Sequence, residues 1–356
     1  MSSTFGRNIK ISIFGQSHSE AIGVVIDGLP SGEKIDLDAL ATFMARRAPS
    51  QAAYSTKRRE GDKVEVVSGL FNGYTCGAPL AAIIRNTDTR SSDYEELKDC
   101  PRPGHADLTG YLRYGEHRDW RGGGHFSGRL TAPLTIAGGI LVQILEKRGI
   151  RIGAHIFDLC GIKDTPYDMA ELSADDLTTR CESFPVRSQS AADEMIGVIE
   201  SAKAVGDSVG GVIECGAIGF PAGLGDPMFD GIENRLSTAL FAIPAVKGVE
   251  FGEGFGVSHM RGSLSNDSYR IKDGKIVSPT NHAGGISGGI SNGMPIVFRV
   301  AIKPTPSIAQ TQESVSISQM IERELSVGGR HDPCILPRAV PVVEAVCAMV
   351  LADYLF

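Results

Sequence analysis

Hydrophobic residues recur along the chain with two spacings, and each spacing predicts a different kind of element. Short runs rich in Ile and Val, which are typical of strands, lie at 8–14, 22–27, 64–71, 78–84, 151–162, 209–218 and 296–302. Apolar positions three and four residues apart, which are typical of helices, lie at 36–47, 130–145, 168–180, 191–204, 229–246, 315–325 and 340–355. The pattern predicts an α/β or α+β architecture with several sheets.

No boundary in this pattern divides the chain. Strands and helices do not alternate cleanly, and no obvious linker separates two halves. We therefore expect residues 1–356 to form a single domain. The apolar run nearest to a membrane span, 340–356, is interrupted by Pro341, Glu344 and Asp353, so no membrane-spanning helix is expected.

The stretch 102–129 reverses the charge of the chain. The formal net charge is -7, yet this stretch holds five Arg, three His, seven Gly and the only Trp, and no Lys. Guanidinium groups match carboxylate and phosphate oxygens, glycine lets backbone N–H groups approach a ligand, and histidine titrates near neutral pH. The stretch predicts a loop that binds an anion and moves protons.

A run of three glycines, 122–124, leads into the helix predicted at 130–145. Free N–H groups and the positive end of the helix dipole would face an anion there. A Walker loop is excluded because GK[ST] is absent, and G-x-G-x-x-G is absent as well. A flexible glycine linker is the alternative, but Arg121 and Arg129 on either side favour the anion site.

Three places carry candidate acid–base chemistry. Ser17 and His18 would pair a hydroxyl with a general acid, although Ser and Gly also favour plain turns. His105 would be a proton donor held by a nearby carboxylate and backbone, or else a surface-loop histidine. Asp332 would accept a proton beside Arg330, or else start the final helix, where Asp before Pro is common.

Two later segments suit a bound ligand. The glycine-rich segment 281–293 predicts either a turn or a flat wall against a planar ligand. A strand then leads into the loop 303–307, where one Lys and two hydroxyls on a proline-stiffened backbone suit a phosphate.

Composition limits the kinds of partner, metal site and location that we expect for this chain. A pI near 5.7 argues against general nucleic-acid binding. The seven Cys are scattered without a C-x-x-C pair, so no metal site is expected. The N-terminus has no apolar run of signal-peptide length, and a cytoplasmic location is expected.

These motifs, in this order, resemble chorismate synthase. The segments that carry the resemblance are FGQSHSEAIGVVIDGLP, RPGHADLTGYLRYGEHRDWRGGGHFSGR, NHAGGISGGISNGMP, KPTPSI and GRHDPCILPRAVPVVEA. The resemblance implies a homotetrameric cytoplasmic lyase with an α+β fold, a single-domain β–α–β sandwich. It also implies the last step of the shikimate pathway of aromatic amino-acid biosynthesis. In that step, anti-1,4-elimination converts 5-enolpyruvylshikimate 3-phosphate to chorismate and phosphate, with reduced FMN as cofactor and NADPH as a possible reductant.

The resemblance also implies roles for individual residues. His18 would protonate the leaving phosphate, with Ser17 positioning it. His105 would serve the protonation state of the reduced flavin, and Asp332 would help flavin N5 take the substrate proton. Ser127 would join the hydrogen-bond network. The implied FMN-binding residues are His125, Phe126, Ser127, Pro244, Ala245, Gly288, Lys303, Pro304, Thr305, Pro306, Ser307 and Arg330. The implied cations for substrate or NADP anions are Arg46, Arg47, Arg121 and Arg129.

The chain departs from the family pattern at several of these places. His125 and Phe126 stand where the family commonly has Arg and Ser, and Ser50 and Ala53 stand where a Pro-Gly pair and a further Arg are usual. Arg58 or Arg59 would compensate for the missing cation. Two other functions compete with the lyase: a non-catalytic phosphate- or RNA-binding protein, and a flavin-independent phosphatase built on Ser17 and His18.

Overall fold

The computed structural model describes residues 3–49, 61–87, 94–179, 181, 184–328 and 332–356. Its strands are β1 (Thr4–Phe5), β2 (Lys10–Gly15), β3 (Ala21–Asp27), β4 (Glu65–Ser68), β5 (Leu70–Phe71), β6 (Tyr74–Thr75), β7 (Leu80–Arg85), β8 (Arg151–Leu159), β9 (Ile162–Lys163), β10 (Gly211–Ile218), β11 (Val246–Phe251), β12 (Arg270–Lys272), β13 (Lys275–Val277), β14 (Ile286–Ser287), β15 (Ile290–Ser291), β16 (Ile296–Ile302), β17 (Gln312–Ser316) and β18 (Ile321–Leu325). Its helices are α1 (Leu37–Arg47), α2 (Asp107–Tyr114), α3 (Thr131–Glu146), α4 (Gln189–Ala204), α5 (Ile232–Leu240), α6 (Gly262–Ser265) and α7 (Leu336–Leu355).

Two five-stranded antiparallel sheets enclose the central helices. The first has the strand order β1-β2-β3-β7-β4 and the second β11-β16-β10-β8-β9. In β3, Ile22, Val24 and Ile26 are fully buried on one face. The alternation of side chains along a strand places such residues together against the core.

The middle layer is formed by α1, α3 and α7. The first sheet packs on α3, the second packs on α7, and α1 contacts both of these helices. A Cβ atom at Gly138 of α3 would lie 2.1 Å from Ala345 of α7, so only glycine permits this close crossing. One hydrophobic cluster runs through both sheets and the helices between them. The expectation of an α+β fold with a β–α–β sandwich is confirmed.

Three expected helices differ from the structure. Residues 168–179 form turns, because the carboxylates of Asp168 and Asp176 accept nearby backbone N–H groups and compete with helical bonding. The helix expected at 229–246 ends at Leu240, before Pro244, and the chain re-enters a sheet as β11. The helix expected at 315–325 is the hairpin β17–β18, whose turn is anchored by hydrogen bonds to Asp99. The other predicted helices form, with ends shifted by a few residues. The predicted strands form as well, except that 64–71 is divided between β4 and β5, which lie in different sheets, and 151–162 between β8 and β9.

The segment 128–146 meets the length and composition criteria for a membrane-spanning helix, which the sequence analysis did not expect of any segment. Gly128–Glu146 is long and apolar enough to cross a membrane by length and composition, which the interrupted C-terminal run is not. Within the described ranges it is the one such segment, and most of it is buried inside the protein. A buried core helix passes the same length and composition test, so this segment is weak evidence for a membrane span.

Candidate active site

A cavity of about 510 Å³ lies where the stretch 102–129 meets the first turns of α3 and α7. The turn before β11 and the loop after β16 complete its wall. The predicted site residues on this wall are Arg47, His105, His125, Phe126, Ser127, Arg129, Pro244, Ala245, Lys303, Thr305, Pro306, Ser307 and Asp332. The fold therefore brings together residues from six separate parts of the sequence.

The glycine run 122–124 positions two of the predicted histidines. Gly122 and Gly123 have φ values of 59° and 83°, in the left-handed region that favours glycine. A Cβ atom on Gly122 would lie 2.7 Å from Nε2 of His18, and one on Gly123 would lie 3.0 Å from Cε1 of His105. The run is therefore packed between the two imidazole rings, and no other residue type fits there without displacing them.

Ser17 and His18 lie just behind this run. The N–H of Ser17 donates to the Gly124 carbonyl at 3.0 Å, which joins the end of β2 to the glycines. The His18 ring meets Tyr94 edge to face at 5.3 Å between centroids. Tyr94 and Gly122 line the cavity, so His18 reaches the cavity wall without being part of it.

His105 is held by a buried ion pair from its own turn. Its Nδ1 lies 2.6 Å from Oδ1 of Asp107, which confirms the expectation of a histidine held by a nearby carboxylate. Arg102 donates to both oxygens of the same carboxylate, at 2.7 and 2.9 Å. Burial would raise the pKa of Asp107, but the hydrogen bonds from Arg102 and His105 outweigh it and hold this pKa well below its ordinary value.

Arg47 and Arg129 share one carboxylate. Each guanidinium pairs with a different oxygen of Asp62, which is almost fully buried. Burial would raise the pKa of Asp62, but the charges of Arg47 and then Arg129 lower it. Asp62 therefore holds two guanidinium groups at this side of the cavity, and guanidinium groups suit an anionic ligand.

Asp332 lies in the segment before α7 and pairs with Arg338 in the first turn of that helix. The alternative expectation, that Asp332 starts the helix, is wrong, because Ile335 takes the N-cap position. The Nε of Arg338 also donates to the carbonyl of Arg47 at 3.0 Å. Arg338 therefore links Asp332, the acid–base candidate, to Arg47, which is expected to bind an anion of the substrate. Arg330, which was predicted beside Asp332, lies outside the described residues.

The loop 303–307 presents polar groups that the protein does not use fully. Lys303 donates to the Gly104 carbonyl at 2.7 Å, and no carboxylate within the described ranges lies at ion-pair distance from it. Burial, and then the charge of Lys247, lower the pKa of Lys303. The buried hydroxyl of Thr305 has no hydrogen-bond partner among the described residues. A free cation beside an orphaned hydroxyl favours a bound anion.

His125 and Phe126 meet the cavity in different ways. Nδ1 of His125 lies 2.8 Å from the Gly15 carbonyl and Nε2 lies 3.0 Å from the Ser3 hydroxyl. Both ring nitrogens are thus engaged by the protein. Phe126 packs its ring against Gly110 and Tyr114, and its exposed part faces the cavity.

Comparison with known proteins settles the family. A family model described as chorismate synthase matches residues 9–356. The chorismate synthase of Pyrococcus abyssi is 47% identical over 350 residues, which cover 98% of this chain and 96% of the relative. That of Dehalococcoides mccartyi is 44% identical over 360 residues, with 99% and 96% covered. A crystal structure of a chorismate synthase has a TM-score of 0.75 at 27% identity, with 99% of this chain and 92% of that chain covered.

The chain belongs to the chorismate synthase family. The resemblance seen in the sequence is confirmed, and with it the lyase class and the link to aromatic biosynthesis. A phosphate- or RNA-binding protein and a flavin-independent phosphatase are not favoured. The roles of individual residues stay predictions.

Six of the described residues assigned through the chorismate synthase resemblance do not line the cavity: Ser17 and His18, which lie behind the glycine run, and Arg46, Arg121, Gly288 and Pro304. Arg46 forms a double hydrogen bond with Glu344, at 2.6 and 2.7 Å, in the helical layer. Arg121 pairs with Asp119 at 2.8 Å. Gly288 lies in the tight turn between β14 and β15. Pro304 belongs to the 303–307 loop but does not reach the cavity. Arg46 and Arg121 lie off the cavity wall, and the substrate role expected of them stays a prediction.

Sequence reasoning missed several residues of this chorismate synthase site. Arg102 and Asp107 flank His105 within the basic stretch, so their proximity to it was a usable signal. Asp62 and Arg338 gave no such signal, because Asp62 is isolated in a polar segment and Arg338 follows a proline in an apolar helix. Their contacts depend on the packing of distant segments.

Proposed function

We propose that this chain catalyses the anti-1,4-elimination of phosphate from 5-enolpyruvylshikimate 3-phosphate to give chorismate, with substrate and reduced FMN bound in the cavity described above. The observation that carries the proposal is the cavity itself. Beside His105 and Asp332 it contains the ammonium group of Lys303 and the hydroxyl of Thr305, which the described residues leave without an ion-pair or hydrogen-bond partner, respectively. The chain matches the family over almost its whole length.

The residues present fit a flavin mononucleotide. The cavity volume of about 510 Å³ falls in the range of about 300–1,000 Å³ typical of cofactor sites. One wall is apolar, formed by Ile243, Pro244, Ala245, Ile335 and Val342, and suits a flat ring system. Lys303 and the orphaned hydroxyl of Thr305 suit the phosphate. Reduced FMN, when bound, supplies electron density transiently and recovers it, so the reaction has no net redox change.

The substrate carries two carboxylates and a phosphate, and the chain offers cations for them. Arg47 and Arg129, both on the cavity wall, bind anionic groups of the substrate. Asp62 also holds both guanidinium groups in place, so little side-chain freedom is lost when the substrate binds.

The proton-transfer groups surround the same space. His105 lies on the cavity wall with Nδ1 directed to Asp107, which leaves Nε2 to exchange a proton. Asp332 lies on the cavity wall and pairs with Arg338. His18, with Ser17 beside it, protonates the departing phosphate from behind Gly122.

An anaerobic assay tests the proposal. The protein is mixed with FMN, dithionite and 5-enolpyruvylshikimate 3-phosphate, and the diene absorbance of chorismate, the release of phosphate and the flavin spectrum are followed. We expect the diene and phosphate to appear together, with a transient change of the flavin spectrum. Phosphate release without reduced flavin or a diene would indicate a phosphatase, and no release with no spectral change would indicate a non-catalytic binding protein.

We further propose a homotetramer in the cytoplasm, with NADPH as a possible source of electrons for the flavin. The support is family membership alone. Sedimentation velocity tests the tetramer, and a tenfold dilution series shows whether it dissociates. Aerobic turnover with NADPH and FMN, without a separate reductase, tests whether the chain reduces its own flavin.

A further inference from the structure

The turn that carries His105 holds two oppositely charged groups against one imidazole. We propose that Asp107 and Arg102 act as a pair of positioning residues: Asp107 holds the Nδ1–H tautomer and favours the imidazolium, whereas Arg102 opposes that charge and ties the turn to the 303–307 loop. This inference deepens the proposed function, since it concerns the residue expected to serve the flavin, but its test does not depend on activity.

The tautomer follows from the distances around Nδ1. Nδ1 of His105 lies 2.6 Å from Oδ1 of Asp107 and 3.1 Å from Nη2 of Arg102. A carboxylate oxygen and an unprotonated nitrogen repel each other at the shorter distance, whereas N–H donation to the carboxylate is favourable. The proton therefore resides on Nδ1. This arrangement leaves Nε2 as the atom that gains and loses a proton.

Arg102 opposes the effect of Asp107 on the charge of His105. Its guanidinium is buried and donates to both carboxylate oxygens, and its Nη2 lies 3.1 and 3.3 Å from the two ring nitrogens of His105. The carboxylate stabilises the imidazolium and the guanidinium destabilises it, so the two charges oppose each other.

The same arginine reaches the loop expected to hold a phosphate. Nη1 of Arg102 donates to the Ser307 hydroxyl at 3.0 Å, and Lys303 donates to the carbonyl of Gly104, in the same turn. These two contacts join the 102–107 turn to the 303–307 loop. An anion that draws Lys303 or Ser307 toward itself therefore changes the contacts of the turn that sets the charge of His105.

Other titratable groups near His105 are fewer and farther away. Lys303 approaches the turn from the loop after β16, and Tyr94 lies beneath Arg102, with 6.0 Å between the guanidinium carbon and the ring centroid. His18 lies beyond Tyr94 and the glycine run. Asp107 and Arg102 are therefore the charges in direct contact with His105 among the described residues.

The test follows the exchange of the C2 hydrogen of each histidine with deuterium by mass spectrometry, as a function of pH, in the full-length protein without cofactor. The midpoint of each profile reports the protonation of that ring. In Asp107→Asn we expect the His105 midpoint to fall by about one pH unit, and in Arg102→Gln to rise by about one unit, as for the loss of an adjacent charge. Exposed His117, in the same stretch, is the internal control and should not move.

A merely structural role gives a different result. If both single variants leave the midpoint of His105 unchanged, or move it in the same direction, the opposing pair is refuted. Either single variant leaves a buried charge unpaired, which destabilises the fold. The double variant Arg102→Gln/Asp107→Asn, which removes both charges together, is therefore measured too. Its midpoint should lie between those of the two single variants; a midpoint equal to that of Asp107→Asn would remove Arg102 from the proposal. Failure of the lyase assay alone would leave these midpoints unaffected.

Discussion

His105 and His155 show two uses of a histidine among buried charges. His155, on β8, is fully buried between Asp164 at 2.9 Å and Glu214 at 3.0 Å. Burial would lower the pKa of His155, but its hydrogen bonds to the two carboxylates outweigh this and raise it. His105 has one carboxylate and one guanidinium, and 16% of its side chain is exposed on the cavity.

The surroundings of the two histidines differ in how completely they are satisfied. The second oxygen of Glu214 accepts a hydrogen bond from Nε of Arg299 and lies 2.9 Å from its Nη2, and Asp164 accepts the N–H groups of Arg187 and Ser188. At the cavity, the Thr305 hydroxyl has no partner among the described residues, and Lys303 has only a carbonyl. Burial and a shifted pKa alone therefore do not mark a functional site in this molecule. Polar groups left unpaired beside a cavity do.

The largest effect is expected at the cavity. Asp332→Ala should lower turnover by at least ~10²-fold, the low end for a general acid–base group, while FMN still binds. Single-turnover kinetics under anaerobic conditions, together with a flavin titration, measure the two quantities separately. Asp226→Ala, a surface carboxylate 3.9 Å from Arg7, is the matched control and should retain turnover. Near-wild-type chorismate formation by Asp332→Ala would remove Asp332 from the chemistry.

The second largest effect is expected on stability, at the other histidine. His155→Gln removes the cation between two buried carboxylates, and breaking a buried ion pair costs about 3–5 kcal/mol of unfolding free energy. Urea unfolding should show this loss. The turnover of the folded fraction should stay close to that of the wild type. A large loss of turnover without loss of stability would show that His155 contributes to catalysis, and the two histidines would then not differ in function.

The pH dependence of stability sharpens the same contrast. Because the pKa of His155 is raised above its ordinary 6.5, its contribution is complete below pH 6.5 and is lost as the pH rises through the higher, folded-state pKa. Asp164 and Glu214 have lowered pKa values, since hydrogen bonds to His155 outweigh burial. Their contribution is present above their ordinary values of 3.8 and 4.5 and is lost on acidification. Urea unfolding from pH 6 to 9 should show stability falling in the wild type and less steeply in His155→Gln. Equal slopes would contradict this assignment.

The smallest effect is expected at the orphaned hydroxyl. Thr305→Val should weaken FMN binding by roughly 2- to 10-fold, the value of one hydrogen bond. It should not lower the unfolding free energy, because the hydroxyl has no hydrogen-bond partner among the described residues. Thr135→Val is the matched control: its hydroxyl is buried and bonded to the Thr131 carbonyl at 2.8 Å. That variant should lose stability and keep its FMN affinity. The reverse pattern would show that Thr305 is structural.

The sequence predicts the cavity better where its residues are close in the chain. His105 and the glycine run 122–124 lie in one stretch whose composition departs from the rest, so their chemistry is visible before the fold is known. Asp62 meets Arg47 and Arg129 across 15 and 67 residues. No local pattern encodes such a contact, because it depends on how α1 and α3 pack.

The fold shows the same division. The periodicity at 36–47 and 340–355 predicts α1 and α7 well, since a long helix imposes its own spacing. The hairpin at 312–325 is mistaken for a helix, because its turn is held by Asp99, more than two hundred residues away in the chain. His155 gives no signal either, since it stands in an apolar strand whose partners become adjacent only through sheet pairing and packing.

The central claim is that the cavity, and not the more deeply buried charge cluster around His155, carries out the elimination. The most direct test compares His105→Ala and His155→Gln in one anaerobic assay with reduced FMN and 5-enolpyruvylshikimate 3-phosphate, at a temperature where both are folded. The account predicts that chorismate formation falls by at least ~10²-fold in His105→Ala and stays near the wild-type rate in His155→Gln. Near-wild-type turnover in His105→Ala, or an equal loss in both variants, would contradict it.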